Sequence, residues 1–252
     1  DPVIEDRVTF NRVYNSLNLA NIDSKPGERY AYQNVMFSLI DTIAFLKTGK
    51  KYETLLQDNI FNPLGMFDAS ASFQGFTKTN NFAYPHKGIR KGVHSVALND
   101  RYYTTIPAAG INASISDMSK WLQALLGYSP DVINTQVLQA ISQPQVNCPL
   151  KRRNSSLWGE IQKKEYSLGW RILTIQNKKI LYHGGFVEGY RAEIAFCPES
   201  QIGMVMLLNS PNLLALEAVP QFVKSYFEYS AKKPKVVENI HQELAVATNK
   251  KL

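Results

Sequence analysis

The stretch YSLGWRILTIQNKKILYHGGFVEGYRAEIAFCPESQIGMVMLLN, residues 166–209, decides the fold. It breaks into four runs, Tyr166–Gln176, Lys179–Gly184, Tyr190–Cys197 and Ile202–Asn209, joined by short turn-forming clusters. Runs of this kind read as strands, and short connections make them antiparallel neighbours. The last run, Ile202-Gly203-Met204-Val205-Met206-Leu207-Leu208, is apolar on both faces, which predicts a strand central in its sheet. Ser210-Pro211 then reads as a helix cap with proline at the first helical position. Leu213, Leu216, Val219, Phe222, Val223 and Tyr226 give that helix an apolar face as far as about Tyr229, and Pro220 is expected to kink it.

Upstream of this stretch the hydrophobic period changes from two to 3.6. Residues 1–25 are polar and weakly helical, and Pro26-Gly27 is a turn signal. Tyr32 to Leu46 reads as a helix, with Val35, Leu39, Ile43 and Leu46 at helical spacing and Gly49 as its stop. Tyr52 to Ile60 reads as a second helix, closed by Pro63-Leu64-Gly65-Met66. Residues 67–106 read as irregular structure with short strands, and a segment this long is usually functional. Ser114 and Asp117 have capping-box spacing before a helix through Leu126, whose apolar face is Met118, Trp121, Leu122 and Leu125. Val132 to Ile141 is a further helix and 142–165 a loop.

The expected fold class is therefore α+β, an antiparallel sheet flanked by helices plus a mostly helical lobe. It forms one domain: about 26–141 helical, about 166–230 the sheet and C-terminal helix, and 232–252 a tail. A cleft between two such halves is a natural active site.

Composition narrows the function. The chain has 252 residues, 44% hydrophobic and 19% charged, enough for a sizeable core. No run approaches ~18 apolar residues, so no membrane span is expected. Two cysteines, Cys148 and Cys197, exclude a disulfide scaffold and a multi-cysteine metal site, and whether they pair stays open. His86, His94 and His241 lack ligand-like spacing, so no metal or cofactor is expected. The net charge of +7 is concentrated in residues 151–164 and in the tail from Lys232. Such segments are mostly solvated surface, and no aromatic-interleaved basic stripe supports nucleic-acid binding.

Two short motifs carry chemistry. Tyr32-Gln33-Asn34 is a Tyr-x-Asn, weak alone in a chain with 13 Tyr. His183-Gly184-Gly185 is rarer, and the flanks strengthen both. Pro26-Gly27-Glu28-Arg29-Tyr30-Ala31-Tyr32-Gln33-Asn34 resembles the Tyr-x-Asn segment of class C β-lactamases and their penicillin-binding and esterase relatives. Ile60-Phe61-Asn62-Pro63-Leu64-Gly65-Met66 and the segment Ala108 to Leu122 resemble the same family in the same order. So do Tyr166-Ser167-Leu168-Gly169-Trp170 and His183 to Tyr190. The chain thus resembles the serine β-lactamase-like hydrolases of the penicillin-binding fold over residues 26–190.

That resemblance implies an acyl-serine mechanism, in which the serine of a Ser-x-x-Lys attacks an amide or ester carbonyl. It implies Tyr32 as general acid/base, a phenol that needs a neighbouring cation to act as base near neutrality. It implies Asn34 as the residue that binds the substrate amide or steadies the lysine. His183 stands where relatives carry the lysine of Lys-Thr-Gly. Gly184 and Gly185 let a substrate backbone lie along the strand, and Phe186 supplies an oxyanion N–H. It implies a small-molecule or peptide substrate, and a periplasmic or extracellular location. A neutral histidine in place of a lysine favours a peptidase or esterase over a strong β-lactamase.

Two literal matches are set aside. Lys47-Thr48-Gly49 ends a helix 13 residues after Asn34, where the family needs a downstream strand. Ser230-Ala231-Lys232-Lys233, a Ser-x-x-Lys, follows the last expected helix, whereas the family's serine opens a helix before Tyr-x-Asn. The nucleophile is therefore expected upstream of Tyr32 in sequence preceding Asp1, together with strands that would cover the apolar edge of Ile202–Leu208. On this expectation the chain is the C-terminal portion of a longer hydrolase and the partner of its own N-terminal segment. The alternative is a non-catalytic module or fragment that binds cell-wall peptide without turnover.

Overall fold

The computed structural model describes residues 10–88, 92–150, 157–212 and 214–232. Lys151, Arg152, Arg153, Leu213 and the tail 233–252, which includes Lys233 of the Ser-x-x-Lys match, lie outside the described residues. The helices in chain order are α1 Phe10–Asn15, α2 Asn34–Phe37, α3 Leu39–Thr48, α4 Tyr52–Leu56, α5 Asn62–Leu64, α6 Phe73–Thr77, α7 Ile106–Ala109, α8 Ile115–Leu125, α9 Thr135–Ser142 and α10 Leu214–Lys232. The strands are β1 His86–Lys87, β2 His94–Ser95, β3 Val146–Asn147, β4 Lys163–Tyr166, β5 Arg171–Ile175, β6 Lys178–Val187, β7 Tyr190–Cys197 and β8 Ile202–Leu208. This is α+β: an antiparallel sheet in the order β3-β4-β5-β6-β7-β8, with helices on both faces.

Alternation along the strands explains the layering. Leu173, Ile175, Ile180, Ala195 and Cys197 pack with Val219, Val223 and Phe227 of α10 on one face. The residues between them, Ile172, Leu181 and Phe196, pack with Ala124 and Leu125 of α8 on the other. A period of two thus feeds two cores, one per face. A third cluster, Leu56, Phe61, Met66, Ala69 and Ala71, sits among the helices before residue 110.

Local chemistry sets the helix ends. Ser114 Oγ accepts the Asp117 N–H at 3.2 Å and caps α8 as its spacing predicts. Gly49, at φ 69°, stops α3 in a left-handed conformation open to glycine. The helix expected over Tyr32–Leu46 is broken at Ser38, which is buried and donates its hydroxyl to the Asn34 carbonyl at 2.9 Å. That back-bonding competes with the helix ladder and splits α2 from α3. Asn134, not Val132, starts α9, because its side chain accepts the Val137 N–H. The last helix begins at Leu214 rather than Pro211, where Asn212 Oδ1 accepts the Leu214 N–H, and it continues through Pro220 to Lys232.

Two expectations about the sheet are corrected. The loop 142–165 holds β3 and β4, so the sheet has six strands rather than four among the described residues. β8 is an edge strand, paired only with β7 among the described residues. Its two-sided apolarity has another cause: α8 packs on one face and α10 near the other. Apolar faces report what lies above and below a strand, and they do not report its lateral neighbours. All seven β8 residues are half-buried.

Candidate active site

Helices and sheet meet at the C-terminal half of β6. His183 follows Leu181 by two positions, so it projects on the α8 face, toward the helical part of the chain. There its ring lies 6.0 Å from that of Tyr32, centroid to centroid. Tyr32 is 45% exposed and sits in the extended segment just before α2. Asn34 is the first residue of α2 and half-buried. The Tyr-x-Asn and His-Gly-Gly segments, about 150 residues apart in sequence, are thus neighbours in space.

Two residues given no role from the sequence complete the group. Tyr166, at the end of β4, places its hydroxyl 3.5 Å from His183 Nε2, and its ring 6.3 Å from that of Tyr32. Burial, and then the neighbouring Tyr32, push the Tyr166 phenol well above its ordinary pKa, so it is a neutral hydroxyl. Arg171, first residue of β5, holds its guanidinium 5.6 Å from the Tyr32 ring centre and 5.9 Å from that of Tyr182, and its charge opposes the burial that raises the Tyr30 phenol's pKa. It is a permanent cation beside the Tyr32 ring. A cation opening an otherwise apolar strand right after Gly169-Trp170 was the available signal.

His183 is electrically neutral. Burial first, and Arg171 second, lower its pKa from 6.5 to about 4. It therefore offers one N–H and one lone pair rather than a charge.

The two glycines differ in what they face. Gly184 lies on the α10 face opposite Glu193, and a Cβ there would collide with the Glu193 carboxylate and stand 2.8 Å from Tyr182 Oη. Glu193 is 2% exposed, accepts the Tyr182 hydroxyl at 2.7 Å, and has Arg191 at 3.9 Å. Burial raises its carboxyl pKa against the opposing pull of Tyr182 and Arg191. Gly184 thus makes room for a buried pair as well as for any substrate. Gly185 points to the Tyr32 side, where a Cβ would meet nothing closer than 3.7 Å. Phe186 is 59% exposed, its ring under the Arg191 guanidinium at 5.4 Å.

The turn beyond is tied down. Glu188 forms an ion pair with Lys87, has Arg101 at 3.7 Å, accepts from Asn99, and its backbone N–H donates to Tyr102 Oη at 3.1 Å. Lys87, and then Arg101, hold its carboxyl below the usual range. The irregular 67–106 segment thereby fixes the end of the strand that carries His183 and the glycines. Among the described residues no cluster of three His, Cys, Asp or Glu could hold a metal ion. No helix there is long and apolar enough to cross a membrane.

The sequence profile of the Beta-lactamase family matches residues 6–220. An unguisins hydrolase of Aspergillus campestris is 25% identical over 201 residues, 79% of this chain and 36% of that protein. Protein flp of Staphylococcus aureus is 26% identical over 235 residues, 89% of this chain and 42% of that protein. Among solved structures, the octameric penicillin-binding protein homologue from Pyrococcus abyssi superposes with a TM-score of 0.75 at 21% identity. That match covers 90% of this chain and 49% of the other. The chain spans less than half the length of each of these three proteins.

Proposed function

The chain belongs to the Beta-lactamase family, and from that premise we propose that it forms most of the active site of a serine hydrolase. The substrate is an amide or ester, a β-lactam, D-alanyl peptide or small ester, cleaved through an acyl-serine whose serine lies outside these 252 residues. The observation that carries this reading is the meeting of Tyr32 and His183, 6.0 Å apart, beside a cation and an open strand edge.

The chemistry assigned to these residues is as follows. Tyr32 takes the serine proton as the Oγ–C bond forms, then returns it to the leaving nitrogen or oxygen as the scissile bond breaks. Water repeats the sequence on the acyl-enzyme and releases the acid. Backbone N–H groups at the Gly185–Phe186 end of β6 receive the developing oxyanion. Asn34 holds the substrate amide, and neutral His183 and Tyr166 orient the phenol. A nucleophile on a separate segment is supported by the lack of a Ser-x-x-Lys upstream of Tyr32. It is supported too by the α3 face, where Ile43 and Leu46 are 57% and 75% exposed.

Fluorescent-penicillin labelling and nitrophenyl-ester turnover by the full-length protein test the reading. We expect covalent labelling or burst turnover, lowered ~10²–10⁴-fold by Tyr32→Phe. Neither signal, with binding of a cell-wall peptide retained, would leave the non-catalytic module, the alternative that the absent motif favours.

A further inference from the structure

β6 and β7 join through a two-residue turn, Glu188-Gly189, between the paired residues Val187 and Tyr190. Two-residue turns that match the right-handed twist of their strands have a positive φ at the first turn residue. The β5–β6 turn obeys this, with Gln176 at φ 50° and Asn177 at 61°. The β6–β7 turn does not. Only Gly189 is positive there, at 79°, which is the pattern of a type II turn, and such turns splay the strands they join. β6 also outruns β5, whose first residue Arg171 pairs with Tyr182. Residues 183–187 are therefore held by β7 alone within the sheet, among the described residues. The stretch assigned to the oxyanion thus draws little support from its own turn and has one strand beside it.

The missing support comes from outside the sheet. Two arms of the 67–106 segment grip Glu188. Lys87 on β1 forms an ion pair with its carboxylate, and from the other arm Asn99 donates to Oε2 at 3.4 Å, with Arg101 Nη1 at 3.7 Å. The Glu188 backbone N–H donates to Tyr102 Oη at 3.1 Å. Close packing backs these ties: a Cβ on Gly189 would stand 2.5 Å from that of Pro85, and the Tyr190 hydroxyl donates to the Ala83 carbonyl at 2.6 Å. The carboxylate sits between two cations on separate arms. Without it Lys87 and Arg101 would repel each other across the turn, and the arms would part.

We propose that Glu188 is a positioning residue that holds the Gly185–Phe186 backbone in the geometry of the oxyanion site, acting through the turn. This rests on the acyl-serine reading above. Stabilisation by preorganised N–H groups falls steeply with small displacements. The test compares wild type, Glu188→Ala and Glu188→Gln in the full-length protein. A nitrophenyl ester is the substrate, and phenylboronic acid is the probe of the tetrahedral, anionic state. We expect Glu188→Ala to lower kcat ~10–100-fold and to weaken boronate binding in proportion, with KM changed by less than ~3-fold. Glu188→Gln keeps an acceptor for Lys87 and Asn99 and should restore part of both. Lys87→Ala removes one tie only and should give the same split at smaller size, which keeps the test open if Glu188→Ala does not fold. Wild-type kcat and boronate affinity in these variants overturn the proposal, as does a loss carried by KM alone. If wild type neither turns over the ester nor binds the boronate, the acyl-serine reading itself fails, and this one falls with it.

Discussion

At the scale of single residues, two adjacent glycines on β6 make a direct contrast. Gly184→Ala drives a methyl into the Glu193 carboxylate, which is buried and cannot swing into water. The bond from Tyr182 must break or the strands must part, at a cost of about 1–3 kcal/mol. Gly185→Ala meets only ordinary contacts, so the fold should change by less than about 0.5 kcal/mol. Its methyl points instead into the space beside Tyr32, and the loss should fall on turnover. Urea unfolding and kcat/KM on the two variants should dissociate in this way, and equal stabilities would refute the assigned faces. His183 makes a second residue-scale prediction. In the unfolded chain it takes up a proton near 6.5, but in the fold only near about 4. Between those values the unfolded state holds the extra proton, so acid favours unfolding. The contribution is complete above about 6.5 and is lost as pH falls through 4, up to about 3 kcal/mol. Glu188 adds a loss of the same sign, since its carboxyl is also held below its ordinary range. The readout is therefore the difference from His183→Gln, whose stability between pH 7 and pH 4 should fall less than that of wild type. Identical pH dependence in the two proteins would show that the imidazole is not shielded.

At the scale of elements, legibility followed the range of the interactions. The α8 start was readable because Ser114 caps Asp117 three residues on, and the β6–β7–β8 meander because alternation and short turns are local. The split at Ser38 was not, since it depends on a serine chosen for burial as well as sequence spacing. β3 and β4 were missed because Val146–Asn147 is only two residues long and Lys163–Tyr166 reads as a charged surface run. Their strand character comes from pairing with β5, which lies later in the chain. In the site, Tyr32 and His183 were legible through motif order. Arg171 was not, because its place beside the Tyr32 ring depends on where β5 starts relative to β6. The Glu188 ties were equally hidden, joining residues 87–102 to a turn that only the fold brings near.

At the scale of the whole molecule, two apolar surfaces stand uncovered among the described residues. One is the α3 face, with Ile40, Ile43 and Leu46 exposed by 38%, 57% and 75%. The other is the free edge of β8, seven apolar or glycine residues with one paired side. Surfaces of this kind seek partners, through buried apolar area in the first case and backbone pairing in the second. If a nucleophile-bearing segment covers them in the full-length protein, the 252-residue chain by itself should associate and bind a hydrophobic dye. Charged substitutions separate the two surfaces. Ile43→Glu with Leu46→Glu should abolish dye binding at α3, because both side chains are already mostly in water. In this chain the pair should cost little stability, within about 0.5 kcal/mol per site. In the full-length protein the same pair should abolish acylation, by preventing the segment from docking beside Tyr32. Association through the free β8 edge should persist in this double variant, since the substitutions leave that edge untouched. Sedimentation velocity and dye titration read both effects. A dye-silent monomer of 28.5 kDa, together with a full-length double variant that still acylates normally, would show that neither surface awaits a covering segment.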